Sequence, residues 1–204
     1  MLIDLKIRED LLENFNNYEY WNCQQPDLLD FTKSGNLVGQ SQEAFILYWI
    51  LKQVKEHQGV GLDIGCGQDS HIFSIGINNY HGDNHPVYGG KYRAHITSLA
   101  ENVHKIFNEE TFSWVIMSHI LEHVDNPIVT FRNCCKLLKK NGLMILIMPS
   151  KEYEITGWDP THKTYWSPED FKNNCIIPNQ DIIKVERENE FDNKFSFSFV
   201  GRRI

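Results

Sequence analysis

Apolar residues repeat along this chain with two different periods, and the switches between them mark its elements. Over 42–54 they fall at Phe45, Ile46, Trp49, Ile50 and Val54, a spacing that gathers them on one helical face. Residues 59–64, GVGLDI, form a short strand run that ends in a glycine-rich turn. The runs TFSWVIM at 111–117 and LMILIM at 143–148 are apolar almost throughout, and Pro149 closes the second. Such runs suit strands covered on both faces. Weaker strands are expected over 73–77 and 92–96, and a helix over 98–107. Asn126 and Pro127 start a further helix expected to run to Lys140, with Lys139, Lys140, Asn141 and Gly142 as its basic last turn and glycine stop. Ser167, Pro168, Glu169 and Asp170 carry the N-cap, first-turn proline and acids of another helix start.

The tail offers strands over 181–186 and 195–202, the latter with Phe195, Phe197 and Phe199 alternating toward a core. The loop between them is short, which predicts antiparallel pairing at one edge. Strands alternating with helices predict an α/β fold, a mostly parallel sheet with helices on both faces. The first forty residues are polar and aromatic, interrupted by Trp21, Pro26 and Gly35. They are read as a cover segment over 1–40, ahead of a single domain over 41–204.

Composition narrows the partners. A length of 204 residues with a formal net charge of -7 fits one full-sized domain and argues against a broad nucleic-acid face. The five cysteines show no CxxC spacing, as expected of reduced thiols in a cytoplasmic protein. The charged N-terminus does not read as a secretory signal, and no apolar run approaches the roughly 18 residues of a membrane span. No membrane partner is expected, and the oligomeric state stays open.

The chemistry concentrates at Asp63-Ile64-Gly65-Cys66-Gly67. A strand ending this way sets a carboxylate at its carboxyl end, and the glycines allow a tight turn and a close ligand approach. In open α/β sheets ligands bind at that edge. Position 70 is Ser, so the dinucleotide fingerprint is incomplete, and no Walker lysine follows. A zwitterionic, nucleoside-like ligand suits the turn better than a pyrophosphate. Read plainly, it is a strand and loop with two glycines.

The turn is followed in order by TFSWVIMSHILEHVDNP and LLKKNGLMILIMP. Together these segments resemble the class I S-adenosylmethionine (SAM)-dependent methyltransferase superfamily, in the type 11-like branch carrying an SHxLEH segment after the fourth strand. The resemblance spans roughly 59–149, with looser echoes in 159–171 and in the 39–43 stretch. It implies a Rossmann-like sandwich with a mostly parallel seven-stranded sheet and an antiparallel edge strand. It also implies SAM as cofactor. Gly65, Cys66 and Gly67 would flank its methionine portion, with Asp63 orienting the turn, and Ser118 and His119 would line the pocket. The family's ribose-binding acid falls at Asn78, with Asp83 as a substitute if the strand is longer, and the adenine-side acid falls at His95. Both departures from an acid support a second reading, a catalytically silent methyltransferase-like binding or scaffold module.

A third reading comes from His119-Ile120-Leu121-Glu122-His123, which matches the HxxEH signature of a zinc hydrolase. That motif needs a continuous helix and a third ligand, for which Glu152, Glu154 and His162 are candidates. Here it follows a strand directly and Pro127 arrives at once, so no metal is assigned. His71, His81, His85 and His95 show no ligand spacing and read as surface-loop histidines. The segment 159–162 lies where related folds build the acceptor side, and Trp158, Tyr165 and Trp166 would either floor an acceptor or pack a lid. The expected reaction is in-line methyl transfer from SAM to a small-molecule or glycan-like acceptor. His123 and His162 are candidate bases, since imidazole titrates near neutral pH.

Overall fold

The computed structural model describes residues 59–67, 74–152, 159–190 and 196–204. The cover segment, the 39–43 stretch, the helix expected over 42–54, and residues His71, Phe73, Glu154, Trp158 and Phe195 lie outside the described residues.

Among the described residues seven strands form one sheet: β1 (Gly61–Ile64), β2 (Ser74–Asn78), β3 (Ile96–Thr97), β4 (Phe112–Ser118), β5 (Leu138–Pro149), β6 (Ile183–Glu190) and β7 (Ser196–Arg203), in the order β3-β2-β1-β4-β5-β7-β6. The pairs β1–β2, β1–β4, β2–β3 and β4–β5 are parallel. β7 runs antiparallel to both β5 and β6. The antiparallel pairing expected of the last two strands is present, and the reversed strand β7 lies second from the edge. From β1 the chain builds outward to β3, then returns to β4 on the other side of β1. The order reverses there, and a crevice opens at the carboxyl ends of these strands.

Burial follows the apolar runs. Trp114, Val115, Ile116 and Met117 of β4 are all fully buried. Val115 and Met117 join Leu62, Ile64, Phe131 and Phe171 on one face, while Trp114 and Ile116 join Ile145 and Val200 on the other. Phe197 and Phe199 are core, as expected, and so are the alternating Ser196 and Ser198, because β7 is an interior strand.

Three expected elements differ in extent. The helix begun at Asn126 is Pro127–Lys136, capped by the Asn126 side chain accepting from Val129 N–H at 3.2 Å. It stops before Lys140 because Leu137 and Leu138 are buried and Leu138 already pairs with Phe112. Positions 139–142 form an irregularity within β5, with Asn141 at φ 63°. In the segment expected as a strand over 92–96, only Ile96 enters β3, while Tyr92 makes an isolated bridge to Gly82. The helix expected over 98–107 is a 3-10 turn, Ala100–Asn102, continued by Val103–Ile106. The Ser167 cap is a full capping box, Asp170 N–H donating to Ser167 Oγ at 3.1 Å. It starts the short helix Pro168–Phe171, which delivers Phe171 onto Phe199 with ring centroids 5.5 Å apart.

Cys66, Cys134, Cys135 and Cys175 are buried free thiols. Burial pushes Cys134 and Cys175 up to about 12 and Cys135 well above its ordinary value, so these three are inert packing groups. Among the described residues no helix is long and apolar enough to cross a membrane.

Candidate functional site

A cleft of about 750 Å³ occupies the crevice at the carboxyl ends of β1, β2 and β4. Its base is the turn after β1. Gly65 N–H and Cys66 N–H both donate to the Ile77 carbonyl of β2, at 2.8 and 3.0 Å. Gly65 and Gly67 have φ of 80° and 62°, a region that favours glycine. A Cβ on Gly65 would lie 2.9 Å from Ile120 Cδ1, and one on Gly67 would meet nothing within 4 Å. The turn therefore presents bare backbone contour to the cleft. Its first two donors are already committed to β2.

Of the residues singled out in the sequence, Gly65, Gly67, Asn78, Ser118, His119, His123 and His162 line this one cleft. Asn78 ends β2, and its Oδ1 accepts from Tyr80 N–H at 3.1 Å. His85 and Glu122 line it too, whereas Asp63, Cys66, Asp83 and His95 are placed elsewhere. Asp63 and Cys66 are buried and do not line the cleft. Asp83 is no substitute for a ribose acid. β2 ends at Asn78, and the Asp83 side chain, 77% exposed, pairs with Arg93, whose hydrogen bond and charge hold the carboxyl below its usual range. His95 is buried behind the cleft. It accepts Gly76 N–H at Nδ1, 3.0 Å, while its own N–H donates to the Gly76 carbonyl at 2.9 Å. His95 thus joins β2 to the segment entering β3.

The surface reading of the loop histidines is corrected at His85 and His95, which are buried. His85 packs against Tyr80, Tyr92 and Tyr88 with centroids 4.9, 4.5 and 5.1 Å away. Its Nδ1 accepts from Val87 and Tyr88 N–H, both at 3.2 Å. This aromatic knot holds Tyr88 at the cleft, a residue that no sequence period singles out. Exposed Leu99, which lies in the cleft wall, was missed for the same reason.

Burial has a consequence for His95. It pushes the imidazole below 6.5, with the Asp63 charge opposing, and protonation of Nδ1 would abolish the acceptor for Gly76. The unfolded chain then takes up a proton first as pH falls. His95 supports the fold fully above about pH 6.5, and that support declines as pH drops toward the depressed folded value. His95→Asn keeps an acceptor without titrating. Its urea midpoint is expected to move less than the wild-type midpoint between about pH 7.5 and 5.5. Equal movement in both proteins would show that His95 is not the titrating group.

The far side of the cleft is built from the end of β4 and the segment 159–163. His119 has φ 51°, and only a single 3-10 turn, Leu121–His123, follows it. The continuous helix required by the zinc-hydrolase signature is absent here. The turn instead folds under 159–163, whose Lys163 N–H donates to the Glu122 carbonyl at 2.7 Å. Glu122 is thereby buried, its side chain 1% exposed, with Oε1 3.5 Å from His119 Nδ1 and 3.8 Å from His123 Nε2. His162 stacks edge-on to His123 with centroids 4.6 Å apart. Burial lowers its basicity, the Glu122 charge opposing.

A hydrogen-bond chain ties the two walls. Tyr88 Oη lies 2.8 Å from Thr161 Oγ1 and donates to Asp159 at 3.2 Å. Thr161 Oγ1 donates to Asp159 at 2.5 Å and lies 3.0 Å from His123 Nδ1. Burial would raise the Asp159 pKa, but the Thr161 hydrogen bonds, with the His162 charge and the Tyr88 hydrogen bond, together hold the carboxyl below its ordinary value.

The fold agrees with solved structures of low sequence identity. A SAM-dependent methyltransferase from Archaeoglobus fulgidus superposes with a TM-score of 0.52 at 19% identity, covering 78% of this chain and 93% of that one. A methyltransferase from Mesorhizobium loti gives 0.53 at 15%, covering 71% and 91%. A protein from Pyrococcus horikoshii gives 0.55 at 16%, covering 83% and 94%. No curated protein matches the sequence. The methyltransferase domain family does match it, over residues 42–193. With the strand order, the glycine turn and the cleft at the order reversal already in place, that match over most of the chain identifies it as a member of the methyltransferase domain family.

Proposed function

We propose that the cleft binds SAM and that the chain transfers its methyl group to a small-molecule or glycan-like acceptor. The observation that carries this reading is the glycine turn. Gly65 and Gly67 offer bare backbone at the base of a roughly 750 Å³ cleft, a contour and size suited to a nucleoside-sized ligand. Ile64, Ile77 and exposed Leu99 supply apolar wall, and Asn78 lines the same cleft, available to a ribose hydroxyl in this reading. Ser118 and His119 close the opposite side. SAM supplies, when bound, a methyl group on a sulfonium, which is strongly electrophilic.

The remaining work falls to the chain. In-line transfer requires the acceptor atom to be held against the methyl group in a water-poor site. The tie from Tyr88 through Thr161 to His123 spans the cleft and fixes its acceptor end. An acceptor that must lose its proton would meet His123 and His162 there. Asn78 and buried His95 in place of acids favour the second reading, a binding module without turnover.

Calorimetric titration of metal-stripped protein with SAM and with S-adenosylhomocysteine separates the two readings from a protein that binds neither. Micromolar binding of either ligand is expected. Silence up to millimolar concentration would remove the cofactor assignment, and binding without turnover across sugar, phenol and amine acceptors would favour the module.

A further inference from the structure

Glu122 sets a problem that the methyl-transfer reading does not absorb. Both carboxylate oxygens are buried without a hydrogen-bond partner. A carboxylate in that state is costly unless a cation or a close donor meets it. The groups around it are imidazoles: one ligand atom each from Glu122, His123 and His162 lies within 4.8 Å of the others.

We propose that Glu122, His123 and His162 form a binding site for a divalent first-row transition metal ion of the zinc class, at the acceptor end of the cleft. Two imidazoles and one carboxylate are a donor set that zinc and its neighbours accept, with positions left open for water or substrate. Ligand bonds of about 2.0–2.1 Å would put donors roughly 3.3 Å apart in a tetrahedral shell. The His123 Nε2 to Glu122 Oε1 distance is 3.8 Å, so small side-chain rotations close the shell.

The surroundings orient the ligands as metal sites do. His123 Nδ1 lies 3.3 Å from the Thr161 carbonyl, which can only accept. This places the proton on Nδ1 and leaves Nε2, the atom facing Glu122, with its lone pair. Asp159 Oδ2 lies 3.5 Å from His162 Nε2, and the His162 side chain is only 6% exposed. The geometry differs from the HxxEH arrangement, because His162 comes from a separate segment and replaces the helical pairing of His119 with His123. On the methyl-transfer reading, the open positions would hold an acceptor with neighbouring oxygen donors, such as a vicinal diol or a hydroxy acid. The ion would lower the acceptor's pKa so that the imidazoles need not act as bases.

The test is titration of tag-free, chelator-stripped protein with Co²⁺, followed by electronic absorption, with Zn²⁺ competition. One equivalent is expected to bind with micromolar or tighter affinity and give the d–d bands of a four- or five-coordinate ion without thiolate charge-transfer bands. Glu122→Gln and His162→Asn are each expected to weaken binding at least a hundredfold, while His104→Ala leaves it unchanged. His162→Asn keeps the test decisive if the buried Glu122→Gln variant fails to fold. No bound equivalent, thiolate bands, or affinity unchanged in both variants would overturn the site. SAM titration runs in parallel: cobalt binding without SAM binding upholds the site and removes the methyl-transfer reading, and SAM binding without cobalt binding removes the site alone.

Discussion

A Gly65→Val chain is expected to fold and to lose SAM affinity on the order of a hundredfold, about 2.7 kcal/mol. Gly65 sits at φ 80°, and its Cβ would come 2.9 Å from Ile120 Cδ1 and 3.1 Å from Ile120 Cβ. Ile120 also lines the cleft, so it must retreat into the space meant for ligand. The β-branched side chain is strained at this φ, by roughly 1–2 kcal/mol. Relief of that strain would turn the peptide and loosen the bonds from Gly65 and Cys66 N–H to Ile77. Gly67→Ala is the graded companion. Its Cβ would meet no atom of the described residues within 4 Å, so beyond the backbone strain of alanine at φ 62° its effect on binding reports ligand contact with little packing change. Calorimetry on both variants, with circular dichroism as a check on folding, decides the matter. Undiminished affinity in a folded Gly65→Val protein would place the cofactor away from this turn.

The second large effect is on stability. Gly61→Ala would put a Cβ 2.1 Å from Trp114 Cε2 and 2.2 Å from Cζ2, inside the indole. Gly61 and Trp114 are register partners in the parallel pair β1–β4, and Trp114 packs with Ile116, Ile145 and Val200. The ring cannot shift without disturbing that cluster. Overpacking of this kind costs about 3 kcal/mol, which lowers the melting temperature by roughly 6–12 °C for a domain of this size. Trp114→Leu alone leaves a cavity and is also destabilising. The double variant Gly61→Ala/Trp114→Leu is expected to be more stable than the sum of the two penalties allows, because the smaller side chain admits the methyl group. Strict additivity would mean that the indole does not lie over Gly61.

Several features of this protein were legible in its sequence because short-range physics decides them. The runs 111–117 and 143–148 are apolar at nearly every position, so they became the doubly covered strands β4 and β5. Asp63 to Gly67 marked the turn because only glycine tolerates its backbone angles readily. Ser167 and Asp170 announced a helix start through a bond spanning three residues. Where local signals competed with burial, they lost. Lys139 to Gly142 had the form of a helix end, but burial of Leu137 and Leu138 drew the chain into β5 first.

The site itself was decided by tertiary structure. Asp83 and Asn78 looked interchangeable along the chain until the end of β2 and the Arg93 pairing separated them. His95 resembled a ligand-binding position, and the parallel register of β2 and β3 turned it into a buried bridge to Gly76. Tyr88 and His162 are distant in sequence, and no periodicity relates them. Both line one cleft because crossovers on opposite sides of β1 bring their segments to the crevice where the strand order reverses. The sequence alone therefore determined the family, the sheet-forming segments and the cofactor-side turn. Only the folded chain could set Glu122 without a hydrogen bond between imidazoles, because that depends on which distant segment covers it.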